Sequence, residues 1–325
     1  MIKITCKLLL SALILLQSTI VIAAEVWKMA TPYRDGNFQT ENNRTFADDI
    51  AETTDGALRI ELHSGGSLVK HSQIKDAVQG GTVIIGEMLM ARLGDEDPMF
   101  ELDSVPFLAT DYSQANTLWL SSRKVIERKL AEHGLKLLYT VPWPPQGIYA
   151  KRQIKTVSDL AQSKFRVYSP ATERFANLVN AVAVNIPASD ISNAFISGKV
   201  DAMISSPTTG VDTKAWEFVS HFYHTQAWLP KNIVVVNMDA FNNLDSGLQD
   251  ALLAAGARAQ QRGWSASQAE TENKIAVMQK NGMNAVIPDA ALMDSFAAIG
   301  DILAALWVEK TDDEGRRVLA DYLGN

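Results

Sequence analysis

Arg166 lies in KFRVYS, a strand-like run with apolar neighbours. A guanidinium is seldom deeply buried without a partner, and its planar fork fits a carboxylate through two parallel charge-assisted bonds. The bland alternative is an edge-strand arginine that faces water or pairs with an internal acid. Ser205 and Ser206 end the run DAMISS ahead of Pro207. Their hydroxyls, with the amides of a following helix start, suit a carboxylate or a sugar hydroxyl, and equally a simple helix cap. Glu87 follows an apolar run and could accept bonds from ligand hydroxyls or an amine, cap a helix, or pair with Arg92. Trp143, Tyr149, Tyr168 and Trp216 stand near expected strand ends and loops, each as core or as a ligand wall. Trp143 stands out through its neighbours. In VPWPPQGIY, three prolines fix φ and remove backbone donors, so the stretch cannot sit in a regular helix or a central strand. It reads as a stiff elbow that either connects two lobes or covers a ligand between them.

Signatures of catalysis are missing. The chain has no G-x-S-x-G elbow, no Walker-type loop and no G-x-G-x-x-G fingerprint. His221 and His224, three apart in HFYH, could share a metal on a helix, but no third ligand or HExxH motif accompanies them. They read as a surface pair. Asn43 in NRT has the form of a glycosylation triplet but falls in an expected helix.

The elements that must position these residues alternate along most of the chain. EVWKMAT, ALRIELHS, TVIIGEML, LKLLYTV, KFRVYS, DAMISSP and NIVVVNM read as strands, TVIIGEML being the β-branched kind expected in a buried parallel strand. Between them, TENNRTFADDIAETTDG, SLVKHSQIKDAVQGG, the run 112–134, ATERFANLVNAV, DISNAFISGKV and DTKAWEFVSHF read as helices. TVSDLAQ reads as a short helix with Ser158 as its cap. From Ser246 to about Lys280 a long Ala- and Gln-rich helix is expected, bent or split at Gly256 and Gly263, and the tail is helical. This alternation predicts α/β lobes with helix-covered sheets. Ligands of such sheets lie at the carboxyl ends of strands. That rule selects residues 31–33, 87–90, 143–146, 168–172 and 205–209.

Composition narrows the class. The chain has 325 residues, a formal charge of −7 and one cysteine, Cys6. Its start carries Lys3 and Lys7, then an apolar run from Leu8 to Ile22, then Ala23 and Ala24 before Glu25. That order predicts a secretory signal peptide over residues 1–24, cleaved after Ala23 or Ala24. The mature chain would then hold no cysteine, hence no disulfide or thiolate nucleophile. An acidic chain without a basic run argues against nucleic acid and anionic membrane surfaces as partners. No later stretch reads as long and apolar enough to span a bilayer. The expectation is an exported protein of two lobes.

Four segments, in order, carry a family resemblance: FADDIAETTDGALRIELHSGGSLVKHSQIKDAVQGGTV, DSVPFLATDY, IKTVSDLAQSKFRVYS and ISGKVDAMISSP. Across nearly the whole mature chain the sequence resembles the solute-binding proteins of TRAP transporters, the C4-dicarboxylate-binding type. The resemblance implies a two-lobed periplasmic-binding-protein fold with a central ligand cleft and long elements shared by both lobes. It implies lobe I over residues 25–145, lobe II over 146–235 and a shared C-terminal segment over 236–325. It further implies a receptor that closes on a small acid and docks on a two-part membrane permease, with no cofactor and no reaction on the ligand. Arg166 matches the family arginine that binds the ligand carboxylate. Glu87 lies where members often have a polar contact, and Gln146 where sialic-acid-type members carry a second arginine. Ser205 stands where many have an asparagine, with Ser206 beside it, and Trp216 lies where many have an aromatic. With Trp143 and Tyr168 these form the expected site. One fixed arginine points to a monocarboxylate, a hydroxy-, keto- or aromatic acid, bound by a monomeric periplasmic protein. The rival functions are a sensory module that presents the ligand to a receptor, and a secreted hydrolase using Glu87 as base.

Overall fold

The computed structural model describes residues 25–324. The expected signal peptide, residues 1–24, lies outside them. Two mixed sheets organise the described chain. The first holds β1 (Glu25–Ala30), β2 (Leu58–His63), β3 (Ile85–Leu89), β4 (Leu135–Pro142) and β10 (Lys231–Asn237), in the order β2–β1–β3–β10–β4. The second holds β5 (Gly147–Ala150), β6 (Lys164–Val167), β7 (Val182–Asn185), β8 (Ala202–Ser205), β9 (His221–Tyr223) and β11 (Asn284–Val286), in the order β11–β9–β5–β8–β6–β7. β3 is parallel to β1, as its β-branched run suggests, but its other edge pairs antiparallel with β10. Residues 231–235, expected with the second lobe, therefore belong to the first sheet.

Two short segments link the sheets directly, strand to strand. The proline elbow Trp143–Gln146 leads from β4 to β5, and residues 224–230 lead from β9 back to β10. They run side by side: Trp143 N donates to Pro230 O (2.8 Å), Gln146 N to Trp228 O (2.9 Å) and Ala227 N to Gln146 O (2.9 Å). The backbone donors that the prolines lack are thus not needed, because this pair of crossings is held by the residues between them.

Helices cover both sheets. In the first lobe, α1 (Phe38–Thr53) buries Phe46 and Ile50, α2 (Ile74–Gln79) buries Ile74 and Val78, and α3 (Tyr112–Glu132) buries Leu118, Trp119, Ile126 and Leu130. The second lobe uses α4 (Pro170–Leu178), α5 (Ile191–Ile196) and α6 (Pro207–Asp212). After β10 come α7 (Met238–Asn243), α8 (Ser246–Lys280), α9 (Ala290–Lys310) and α10 (Asp313–Leu323). α8 is one continuous helix of 35 residues, not split at its glycines. Those glycines serve close approach instead. A Cβ at Gly256 would lie 2.9 Å from Leu138 O, and one at Gly263 would run into the Val141 side chain. α8 thus lies hard against β4, and its far end puts Met278 among Tyr149, Ile191 and Phe222 of the second lobe.

Three expectations need correction. DTKAWEFVSHF is not a helix: α6 stops at Asp212, Lys214 takes a positive φ of 50°, a 3₁₀ turn spans Ala215–Glu217, and β9 follows. The left-handed residue breaks the helix, and the Phe222 ring packs on Tyr149 with centroids 4.6 Å apart. The histidines of HFYH consequently sit on and just after a strand. TVSDLAQ forms a 3₁₀ turn over Val157–Leu160 with Thr156, not Ser158, at its cap. Finally, α9 is long and apolar enough to cross a membrane by length and composition. Here it bridges two cores, with Leu292, Phe296, Ile299 and Leu303 in the second lobe and Trp307 in the first.

Candidate functional site

The carboxyl ends of β1, β3, β6 and β8 and the proline elbow converge on one cavity of about 340 Å³, at the small end of the roughly 300–1,000 Å³ common for ligand sites. Arg166, near the end of β6, is 4 % exposed. Its Nε donates to Ile186 O (2.9 Å), and its guanidinium lies 4.6 Å from the Tyr168 ring centre. Among the described residues no carboxylate comes within ion-pair distance of it. Burial, with Arg92 nearby, lowers its pKa to about 10. The two terminal nitrogens have no protein acceptor among the described residues and belong to the cavity lining.

Arg92 enters from the first lobe, on the 3₁₀ turn Met90–Leu93. Its Nη1 donates to Tyr168 O (3.0 Å), a contact from one lobe to the other. His71 stands beside it. Leu89 N donates to His71 Nε2 (3.2 Å), which requires a free lone pair there and leaves the ring proton on Nδ1. Burial, then the charges of Arg92 and Arg166, press the His71 pKa down to about 3. It is a neutral donor.

Aromatic rings close one side. Trp143 meets Tyr33 edge-on at 4.9 Å and Phe38 at 5.4 Å between centroids. The Trp143 indole N–H donates to Asn232 Oδ1 (3.0 Å), and Tyr33 OH donates to the same oxygen (3.3 Å). Gln146 is tied at both ends of its amide, donating to Pro144 O (2.9 Å) and accepting from Tyr168 OH (3.2 Å). Ser206 caps α6 by accepting from Thr209 N (3.1 Å), whereas the Ser205 hydroxyl has no hydrogen-bond partner among the described residues. Near the rim, Asn37 Nδ2 donates to Asp212 Oδ2 (2.7 Å), a second bond between the lobes.

Six of the eight expected site residues line this cavity: Arg166, Gln146, Trp143, Tyr168, Ser205 and Ser206. Two do not. Glu87 is wholly buried one layer behind, where it accepts from Asn232, Asn43 and Thr31 and makes no ion pair with Arg92. Trp216 lies on the 3₁₀ turn after α6 and packs into the apolar core of the second lobe, because the helix expected to present it does not form. Tyr149, the remaining aromatic candidate, is core, its hydroxyl bonded to Ser206 O (2.9 Å). Sequence reasoning missed Arg92, His71 and Asp212. Arg92 lies two residues past a selected strand end, so the strand-end rule nearly reached it. His71 carried no signal at all. The idea of one well-placed arginine is corrected: Arg34 and Arg92, from the first lobe, line the cavity together with Arg166.

A two-lobed α/β chain with crossing strands, and between its sheets a small cavity rich in buried hydrogen-bond donors, defines a small-molecule receptor. The chain belongs to the bacterial extracellular solute-binding proteins of family 7, the DctP family, whose model matches residues 29–309. Its relatives in known structures are TRAP solute-binding proteins. The structure of DctP6 from Bordetella pertussis, an extracytoplasmic solute receptor binding pyroglutamic acid, is 41 % identical, with a TM-score of 0.91 over 92 % of this chain and 100 % of that one. A marine metagenome TRAP solute-binding protein specific for pyroglutamate is 34 % identical, with a TM-score of 0.91 over 93 % of this chain and 99 % of that one. More distantly, the 2,3-diketo-L-gulonate-binding periplasmic protein YiaO of Escherichia coli K12 is 24 % identical, over 74 % of this chain and 75 % of its own.

Proposed function

We propose that this protein is the periplasmic receptor of a TRAP transporter and that its ligand is a small cyclic monocarboxylate of the pyroglutamate type. The observation that carries the reading is the excess of free donors in the cavity. Arg166, Arg92 and His71 Nδ1 offer N–H groups, Ser205 offers a hydroxyl, and Tyr33 and Trp143 offer ring surface. Such a set asks for a ligand rich in acceptors: one carboxylate for the Arg166 fork and one uncharged carbonyl for the remaining donors, on a compact body. A ring carboxylate whose ring also carries an amide carbonyl has these parts, and the likeness to two pyroglutamate-binding structures supports the choice. Binding would close the lobes through contacts available only in the closed form, and the loaded receptor would dock as a monomer on the integral subunits of the permease.

Calorimetric titration with L-pyroglutamate, L-proline and L-glutamate tests this. Pyroglutamate should bind. Proline has a cationic amine and no ring carbonyl, so it would face His71 and Arg92 with a donor and should be rejected. Glutamate adds both an amine and a second charge. Binding of glutamate or another dicarboxylate, with no heat from pyroglutamate, would overturn the reading and point to both arginines as carboxylate ligands.

A further inference from the structure

Glu87 lies wholly buried on the far side of the cavity wall, with no cation in ion-pair distance among the described residues. β10 pairs Val234 opposite Glu87, so Asn232, two residues along, falls diagonally on the same face of the sheet. Asn232 is 1 % exposed, and its Nδ2 donates to Glu87 Oε1 (2.8 Å). An amide has one donating end and one accepting end, while a carboxylate only accepts. Glu87 therefore dictates which way Asn232 faces. Its nitrogen points to Glu87, and its oxygen points to the cavity wall, where it receives the Trp143 indole N–H (3.0 Å) and Tyr33 OH (3.3 Å). Were the amide reversed, its N–H groups would meet the indole N–H, which cannot turn round.

The rest of the network follows the same polarity. The second oxygen of Glu87 accepts from Asn43 Nδ2 (2.7 Å) and from the Thr31 hydroxyl, and Asn43 Oδ1 in turn accepts from Tyr139 OH (2.7 Å). Both amides thus donate inward to one carboxylate and accept outward from a ring residue. Burial raises the Glu87 pKa while the bonds from Thr31, Asn232 and Asn43 oppose the rise.

We propose that Glu87 is a positioning residue: it fixes the Asn232 amide in the one orientation that holds the Trp143 and Tyr33 rings as the wall of the ligand cavity. The role is indirect, since Glu87 itself does not line the cavity. Where the test uses ligand affinity it rests on the pyroglutamate reading above, but the ring geometry does not.

Charge exchange across a single hydrogen bond provides the experiment. In Glu87→Gln, the new amide sets a donor against Asn232 Nδ2, or, if flipped, against Asn43 and Thr31. In Asn232→Asp, two carboxylates meet. In the double variant Glu87→Gln/Asn232→Asp, the amide introduced at position 87 donates to the carboxylate introduced at position 232. That carboxylate still accepts from Trp143 and Tyr33, and the oxygen of the new amide still accepts from Asn43 and Thr31. Every bond is kept and only the charge moves. The readout is the indole N–H resonance of Trp143 in protein labelled with ¹⁵N-tryptophan, identified by its loss in Trp143→Phe. Each single variant should displace that resonance, and the double variant should return it. L-Pyroglutamate affinity should fall by about tenfold or more in Glu87→Gln, as expected when a buried donor loses its acceptor, and recover most of that loss in the double variant. An unmoved resonance in Glu87→Gln, or a double variant no better than the singles, overturns the proposal. If the single variants fail to fold, the double variant decides alone: a folded protein with the native indole resonance supports the role, and an unfolded one refutes it. A wild type that ignores pyroglutamate removes the proposed ligand, while the resonances still report on Glu87.

Discussion

Replacing Arg166 by methionine should weaken ligand binding and yet leave the empty protein at least as stable. Methionine keeps an unbranched stem of similar reach and removes only the guanidinium. In the empty protein that charge is buried without an anion, and the fall of its pKa from 12.5 to about 10 corresponds to about 3 kcal/mol against the charged form. Losing the bond to Ile186 O and the contact with the Tyr168 ring returns about 1–2 kcal/mol of that relief. The unliganded variant should therefore melt at or slightly above the wild-type temperature. With ligand the balance reverses. A carboxylate in a dry cavity without its cation costs about 3–5 kcal/mol, or roughly two to three and a half decades of affinity. Calorimetric titration with L-pyroglutamate and thermal melts of both proteins, with and without ligand, measure the two halves. Affinity within about threefold of wild type would refute the assignment of Arg166 to the carboxylate. A clear drop in the unliganded melting temperature would refute the claim that its charge is uncompensated.

Two further outcomes follow from the same structure. His71 is held at about 3 against an ordinary 6.5, so the folded state prefers the neutral ring. Its stabilising share is complete above pH 6.5 and is lost as the pH falls, because only the unfolded chain then takes the proton, which amounts to about 1–2 kcal/mol by pH 5. His71→Gln, whose oxygen can accept from Leu89 N, should lose less stability than wild type between pH 7 and 5. Glu87, shifted upward, acts with the opposite sign in both proteins, so the difference between them is the quantity to measure, and equal slopes would refute the argument. Gly263→Ala places a methyl group against Val141, 2.9 Å from Asn42 Nδ2. Overpacking of this kind costs about 1–3 kcal/mol, and an unchanged midpoint in urea denaturation would show that α8 can move off β4.

How far the site could be read from sequence depends on which forces placed each residue. Arg166 and the elbow were legible because their signals are local: a cation in an apolar run, and prolines that forbid regular structure. Glu87 was legible as an unusual residue but not as one behind the wall. Its direction depends on β10, inserted between β3 and β4 from a point 145 residues away along the chain. The segment AWEFVSHF misled because Ala215, Val219 and Phe222 have a helical spacing. Its backbone instead turns through Lys214 so that Phe222 can pair with Tyr149 across strands. The glycines of α8 misled for a related reason. Propensity counts them as weak points, whereas packing uses them to bring two backbones together.

The placement of the cations also explains why a ligand should drive closure. Arg92 belongs to the first lobe and Arg166 to the second, and both face one cavity with no carboxylate in ion-pair distance of either among the described residues. The influence of Arg92 in lowering the Arg166 pKa is the mark of their repulsion. Closing an empty cleft brings like charges together as water leaves, and bonds between the lobes, among them Asn37 to Asp212, Arg92 to Tyr168 O and the Arg174–Glu101 ion pair, must work against it. An anion changes the sign of that balance, since it attracts both arginines at once and does so most strongly in the closed, drier form. A neutral molecule of the same shape leaves the repulsion in place, however well it packs against Trp143. Selection of an acid and closure of the lobes are then one electrostatic event, and the differential affinity that a conformational switch requires comes from charges that the two lobes hold apart until the ligand arrives.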